Sequence, residues 1–354
     1  MRPSILTLAS AIGISLTMLP ATFAEEDRDY GSLAFYLDND LFVGSDSDYT
    51  NGARISYISR DIDPAELPAV QAQLRRISGD PQSWSFVQNM VGFQEPETIR
   101  YQWGIALTQL MFTPEDLNAP SAPEGERPYA GWLGLGFSLH VKDPHAINSV
   151  ELTLGLVGPQ AFAKEAQDFV HDVRGFARFE GWDSQIPNEP TLNLHLSQKR
   201  RIRFLEHLSL PLSSDGFLEL GSDLGTFRTS AYLGTMSRFG YNLPVDFSDP
   251  RISLTANTQK IGINDNENTG RFSVYGIIGG RATAVAHDIT LDGPLFRDFD
   301  TGVSSRPWVA EAYLGFGARW SNWEMSFVHT YRTREFESQA DAQSFGSVVI
   351  RAVF

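Results

Sequence analysis

A transmembrane antiparallel β-barrel of about twelve strands is the fold this sequence predicts, and three observations predict it. Apolar and polar residues alternate with period two in segments of about ten residues, the length of a tilted membrane-crossing strand. The chain opens on a secretory signal pattern yet contains no cysteine with which to staple a secreted sandwich. It closes on an alternating segment that ends in Phe354.

The elements follow in order. Arg2, the apolar run from Ile5 to Leu19, Pro20 and Thr22-Phe23-Ala24 form a signal peptide over residues 1–24, with a cleavage site before Glu25. Beyond it no apolar stretch approaches the ~18 residues of a spanning helix, so 25–354 reads as one exported barrel domain. Period-two alternation places strands at 31–38, 51–59, 101–110, 131–141, 148–157, 191–200, 216–226, 228–239, 271–286, 308–319, 323–333 and 344–354. Gly131 to Val141 shows the type. Trp132, Gly134, Gly136, Ser138 and His140 form a small or polar face, and Leu133, Leu135, Phe137, Leu139 and Val141 an apolar one. Ser149 to Val157 and Glu324 to Arg332 repeat it. In the last strand Val348, Ile350, Ala352 and Phe354 alternate with Ser347, Val349, Arg351 and Val353, and a terminal Phe there resembles the assembly signal of bacterial outer-membrane barrels. The even count is what single-chain bacterial barrels require, although splitting 271–286 would add a strand. Tyr49, Tyr57, Trp103, Tyr129, Trp132, Trp320, Trp323 and Tyr331 near strand ends read as interfacial girdles.

A formal net charge of −15 argues against nucleic acid as a partner and suits divalent cations or cation-bridged anionic lipid. With the N-terminus of the barrel in the periplasm, parity assigns sides. The ends of strands one and five are extracellular, so Asn39-Asp40 and the 158–190 loop share one rim. The same parity puts the Pro-rich insert 61–100 (short helices over 68–77 and near 85–91) and the 241–270 connection on the periplasmic side, where turns are usually short.

Chemistry concentrates on that outer rim. Ala161 to Phe176 is the clearest helix, and it sets Gln167 and His171 four residues apart on one face, with Arg174 a turn on. A lone histidine there reads first as solvated; with a partner to fix its tautomer it is a general base toward water. Asn39, Asp40, Asp46, Asp48 and Thr50 supply hard oxygen donors of the kind Ca²⁺ takes, although DSDSDYTNG alone reads as a turn-rich hairpin loop. No serine sits in a G-x-S-x-G elbow. His287-Asp288 opens another loop with a structural role, and His329, Arg332, Arg334 and Glu335 read as barrel-interior polar residues.

Eight blocks then match a known family. LDNDLF (37–42), DYTNG (48–52), LMFTPEDL (110–117), ERPYAGWLGLG (126–136), GLVGP (155–159), EAQDFVH (165–171), GWDSQIPNEP (181–190) and RTREFESQ (332–339) resemble the bacterial lipid A 3′-O-deacylases. They occur in order over nearly the whole mature chain. The resemblance implies a twelve-stranded outer-membrane barrel with its site between the wall and an extracellular loop helix; a monomer is expected. Its substrate is lipid A of lipopolysaccharide in the outer leaflet, and its chemistry is Ca²⁺-dependent hydrolysis of the 3′-linked acyl ester. Carried over residue by residue, the metal ligands are Asn39 and Asp40, with Glu180 the candidate third. His171 is the base, Gln167 its companion, and Thr50 supports the calcium or the histidine. Two positions depart from the family. The loop PEDLNAPSAPEGER lacks the family's lysine, leaving Arg127 as the nearest cation for substrate, and Ala177 stands where members carry glutamate. A non-catalytic, porin-like barrel and a glycerophospholipid esterase are the competing readings.

Overall fold

The computed structural model describes residues 31–40, 48–63, 66, 98–116, 119–175, 178–202, 212–244, 246–252 and 272–354, with 48–50 described as backbone only. The signal peptide, the two insert helices, Asp46 and Ala177 lie outside the described residues. Twelve strands form one closed barrel: β1 Ser32–Asn39, β2 Asp48–Ile58, β3 Arg100–Thr113, β4 Ala130–Lys142, β5 Ala146–Val157, β6 Glu189–Ile202, β7 Leu212–Gly225, β8 Arg228–Tyr241, β9 Phe272–Asp288, β10 Trp308–Trp320, β11 Trp323–Arg332 and β12 Gln343–Val353. Each pairs antiparallel with its sequence neighbours, and β1 pairs with β12 from Ser32↔Val353 to Asn39↔Gly346, so no edge is left open. The stretch 272–288 is a single strand of 17 residues, which keeps the count even.

Alternation turns one face of every strand outward. On β4 Leu135, Phe137 and Leu139 are exposed while Gly134, Gly136, Ser138 and His140 are buried inside. Leu33, Phe35, Ile55, Ile105, Leu107, Leu152, Leu154, Leu218, Leu220, Leu233, Ile278, Leu314 and Phe316 continue the outer band, and an apolar exterior of this extent is a lipid-facing surface. Tyr57, Trp103, Phe272, Trp320 and Trp323 border it at the rim that carries the β2–β3 and β10–β11 connections, with Trp103 against Tyr57 and Phe272 against Trp320. Two residues read as girdle aromatics belong elsewhere. Trp132 points inward, stacks on Phe227 and donates to Thr191 Oγ1 (2.9 Å); Tyr129 faces outward but is covered by chain. His329 also departs from its reading, since it lies on the outward face of β11 between Phe327 and Tyr331.

The lumen is filled by charge pairs. Arg54 meets Glu151, Arg351 meets Glu324, and Arg332 bridges Glu311 and Glu335. The β8–β9 connection supplies the rest. Rather than turning back at the rim, residues 242–244 and 246–252 fold into the barrel and bury Phe247, Asp246, Ser248, Asp249 and Arg251. Asp246 accepts from Arg238 Nη1 (2.6 Å), Asp249 receives Arg251 and Lys199, and Arg251 reaches Glu311 (3.2 Å) and lies 4.0 Å over the Tyr313 ring. Phe247 packs on Phe217 and joins one apolar core with Met236, Leu243, Tyr275, Ile277 and Val328. The described part of this connection is thus an internal plug, at the rim where turns are usually short. A cavity of about 70 Å³ in the lumen is lined by Asp223, Arg281, Glu311 and Arg332, room for a few waters.

Candidate functional site

The β5–β6 connection builds the site. At Gly158 the chain leaves β5 and makes a 3₁₀ turn, Pro159–Ala161. It then enters helix α1, Ala163–Arg174, through Phe162, which holds a left-handed backbone (φ 57°) that a bulky residue rarely adopts. Gly175, also left-handed (φ 71°), ends the helix by donating its N–H to the His171 carbonyl. The sequence places this helix over 161–176; it runs from Ala163 to Arg174, after the 3₁₀ turn and left-handed Phe162.

The helix seats on the outside of the barrel wall. On β3 and β4 the outward positions carry odd numbers, and at the rim these are Met111, Thr113, Tyr129 and Gly131, all buried rather than exposed to lipid. Ala163, Met111, Tyr129 and Trp182 form the contact, with Ala166 and Phe179 at its border. Gly131 permits the approach, since a Cβ there would stand 2.5 Å from the Ala163 Cβ. Gln109 Nε2 donates to the Ala161 carbonyl (2.7 Å), pinning the turn that precedes the helix. Gly131→Val is therefore expected to lift the helix without opening the barrel. Trypsin should cut after Lys164 or Arg174 faster than in the parent protein, while the heat-modifiable mobility of the folded barrel stays unchanged.

Gln167 and His171 lie in this seam, 5% and 8% exposed, on the face of α1 turned toward the wall. Gln167 Oε1 accepts from Trp182 Nε1 (2.6 Å), a bond that orients the amide so that its NH₂ group faces away from Trp182. The His171 ring meets Phe179 edge to face at 4.7 Å, and Trp182 packs on Tyr129 at 5.2 Å. Burial, and next the charge of Asp116, push the Tyr129 hydroxyl up to about 12 against a Gly181 N–H that donates to it. The seam thus holds an imidazole, a fixed amide and a neutral phenol beside apolar walls. An imidazole so placed can take a proton from water or donate one.

The ladder connects Asn39 to this seam. Asn39 pairs with Asn51, Asn51 with Met111, and Met111 with Gly131, so all four share one row of outward positions. Strands lie about 4.8 Å apart, which sets the Asn39 backbone about 10 Å from Met111. Asp40, one residue past β1, is fully buried, as is Asp38. Thr50 is the additional residue at a β-bulge where the β2–β3 register slips between Tyr49 and Asn51; its side chain is outside the described residues. Two further expected site residues are not buried in the seam with His171. Glu180 is exposed, at the start of the 3₁₀ turn Gly181–Ser184. Arg127 turns to the lumen side instead, where it is 1% exposed, lies 4.4 Å over inward-facing Phe112 and bonds Thr290 Oγ1 (3.0 Å) and Glu335 (3.4 Å). Its cation is used to tie loops across the barrel mouth. Among the described residues no three His, Asp or Glu side chains converge as a metal cluster.

Trp182 and Phe179 had no role in the sequence reading. The signal was present in GWDS, a tryptophan in a polar loop, which only the folded seam explains.

The profile of the family described as "Outer membrane protein LpxR" matches residues 6–354. Among solved structures the chain is similar to LpxR from Salmonella typhimurium, with a TM-score of 0.68 at 18% identity, covering 91% of this chain and 100% of that one. It is also similar to the β domain of the Bordetella autotransporter BrkA (TM-score 0.45, 10% identity, 92% of this chain and 100% of that one). No curated protein sequence matches the chain.

Proposed function

Because the chain belongs to the LpxR outer membrane protein family, we propose that it is an outer-membrane esterase that removes the 3′-linked acyloxyacyl group of lipid A. The observation that carries this reading is the seam: His171 and Gln167 are buried between a loop helix and the outer, lipid-side face of the wall, on the row that leads to Asn39. In such a place a lipid ester can meet a polar group while its acyl chains stay against the apolar wall.

In this mechanism His171 takes a proton from water as the oxygen attacks the ester carbonyl, and returns it to the departing sugar oxygen. Gln167, oriented by Trp182, presents its NH₂ group toward the reacting atoms. Phe179 and Trp182 fix ring and amide so that little reorganisation is needed. Asn39 and Asp40, with Thr50 nearby, are the residues that would hold Ca²⁺. Their amide and buried carboxylate oxygens are hard donors that suit this ion, and the rest of its shell would come from hydroxyl, carbonyl and water oxygens. When bound, Ca²⁺ supplies positive charge where the carbonyl oxygen becomes negative. Exposed Glu180 would reach the ion only if its loop moved.

The packed lumen and the 242–252 plug favour this reading over a porin-like channel. The test is purified protein in detergent with lipid A and Ca²⁺, read by mass spectrometry for loss of the 3′ acyloxyacyl group. Chelation by EDTA should stop the loss and added Ca²⁺ should restore it. No release with Ca²⁺ present would sink the proposal, and release from glycerophospholipid but not lipid A would transfer it to that substrate class.

A further inference from the structure

Among the described residues the large side chains on the outward flank of α1 stay exposed, whereas its other two sides are engaged. On the helix wheel Gln167 and His171 mark the wall-facing side together with Ala163. One neighbouring flank is polar: Lys164 pairs with Asp183 (2.8 Å), and Asp168 and Asp172 both pair with Arg178. The opposite flank carries Phe162, Ala166, Phe169, Val170 and Val173. Four of these are strongly exposed, with Phe169 at 70% and Val173 at 56%. Exposed large apolar groups on one flank of a surface helix, with charges on the other, are the pattern of a helix lying in a membrane interface.

Continuity with the barrel exterior names the occupant. The row Gln109–Leu133–Leu156 lies just below the seat of the helix on β3, β4 and β5. The next outward row down, Leu107, Leu135, Leu154 and Leu192, is exposed along its whole length and belongs to the lipid-facing band. We infer that α1 is an interfacial helix that beds its Phe162–Phe169–Val173 flank in the hydrocarbon of the outer leaflet, extending the barrel's lipid-facing surface over the seam. The inference rests on where the helix sits and not on the esterase reading; it stands if the protein proves to have no hydrolytic activity.

The chain contains no cysteine, which makes a direct test available. Phe169→Cys, Val173→Cys and, on the polar side, Glu165→Cys would each be labelled with an environment-sensitive fluorophore and reconstituted in phosphatidylcholine vesicles. Labels at 169 and 173 should be quenched several-fold more by brominated acyl chains than by aqueous iodide, and the label at 165 the reverse. Equal iodide quenching at all three positions would overturn the inference. So would protection at 169 and 173 that ignores lipid bromination but grows with protein density, which would assign the flank to a second copy of the chain. Phe162→Cys and Val170→Cys keep the test available should the first pair fail to fold.

Discussion

His171→Ala lowers acyl release by about 10²–10⁴-fold, the range for loss of a general base, and leaves the barrel folded and heat-modifiable. The expectation follows from placement. The imidazole meets Phe179 edge to face, and neither the apolar wall contact nor the core around the plug includes it. In the proposed reaction the acyl chains would rest on the apolar wall and not on the ring, so the loss should fall on kcat, with KM nearly unchanged. His171→Gln keeps polarity and volume but cannot cycle a proton, so it should be as inactive as alanine. A variant that retains the parent rate would remove His171 from the mechanism; one that raises KM alone would make it a binding residue.

The largest effect on stability is expected at Arg238. This fully buried guanidinium holds Asp215 through Nε (2.9 Å) and Nη2 (2.7 Å), and Asp246 of the plug through Nη1 (2.6 Å). Arg238→Met keeps much of the volume but takes this cation from Asp246, while Asp215 retains Arg201. Breaking a buried pair in this way costs about 3–5 kcal/mol. The urea midpoint of the refolded protein should fall accordingly, and the plug segment should become open to protease from the rim it enters. A midpoint unchanged from the parent would mean that water reaches these acids in the folded barrel.

Much of this architecture was legible in the sequence because a barrel repeats one local rule. Period two, imposed by the pleat, marked all twelve strands and told which face of β4 looks out. The helix and the Gln167–His171 face were equally local. What escaped depends on contacts between distant residues. The segment 242–252 has no periodicity, and its partners Arg201, Glu311 and Arg351 are far away in sequence, so its place in the lumen appears only once the barrel closes. Alternation also gives a side chain's face without saying what covers it. Tyr129 looks outward yet is buried, because α1 and Trp182 take the place lipid would have. Arg127 sits in a loop, where no period constrains direction, and its ion pair with Glu335 joins residues 208 apart.

The pairing of β1 with β12 has a kinetic consequence. Neighbouring strands can zip in sequence order at low cost, but that final seam joins the two ends of the described chain and must wait for everything between. Arg351, on the closing strand, donates to the Asp249 carbonyl (2.7 Å) and to the Tyr36 hydroxyl (3.3 Å), so it touches the plug and β1 together. A segment cannot easily thread into a cylinder that is already shut. The order of assembly is therefore set: the 242–252 segment must be inside before the last strand arrives, and the last strand then finds its register on a partner waiting in the interior.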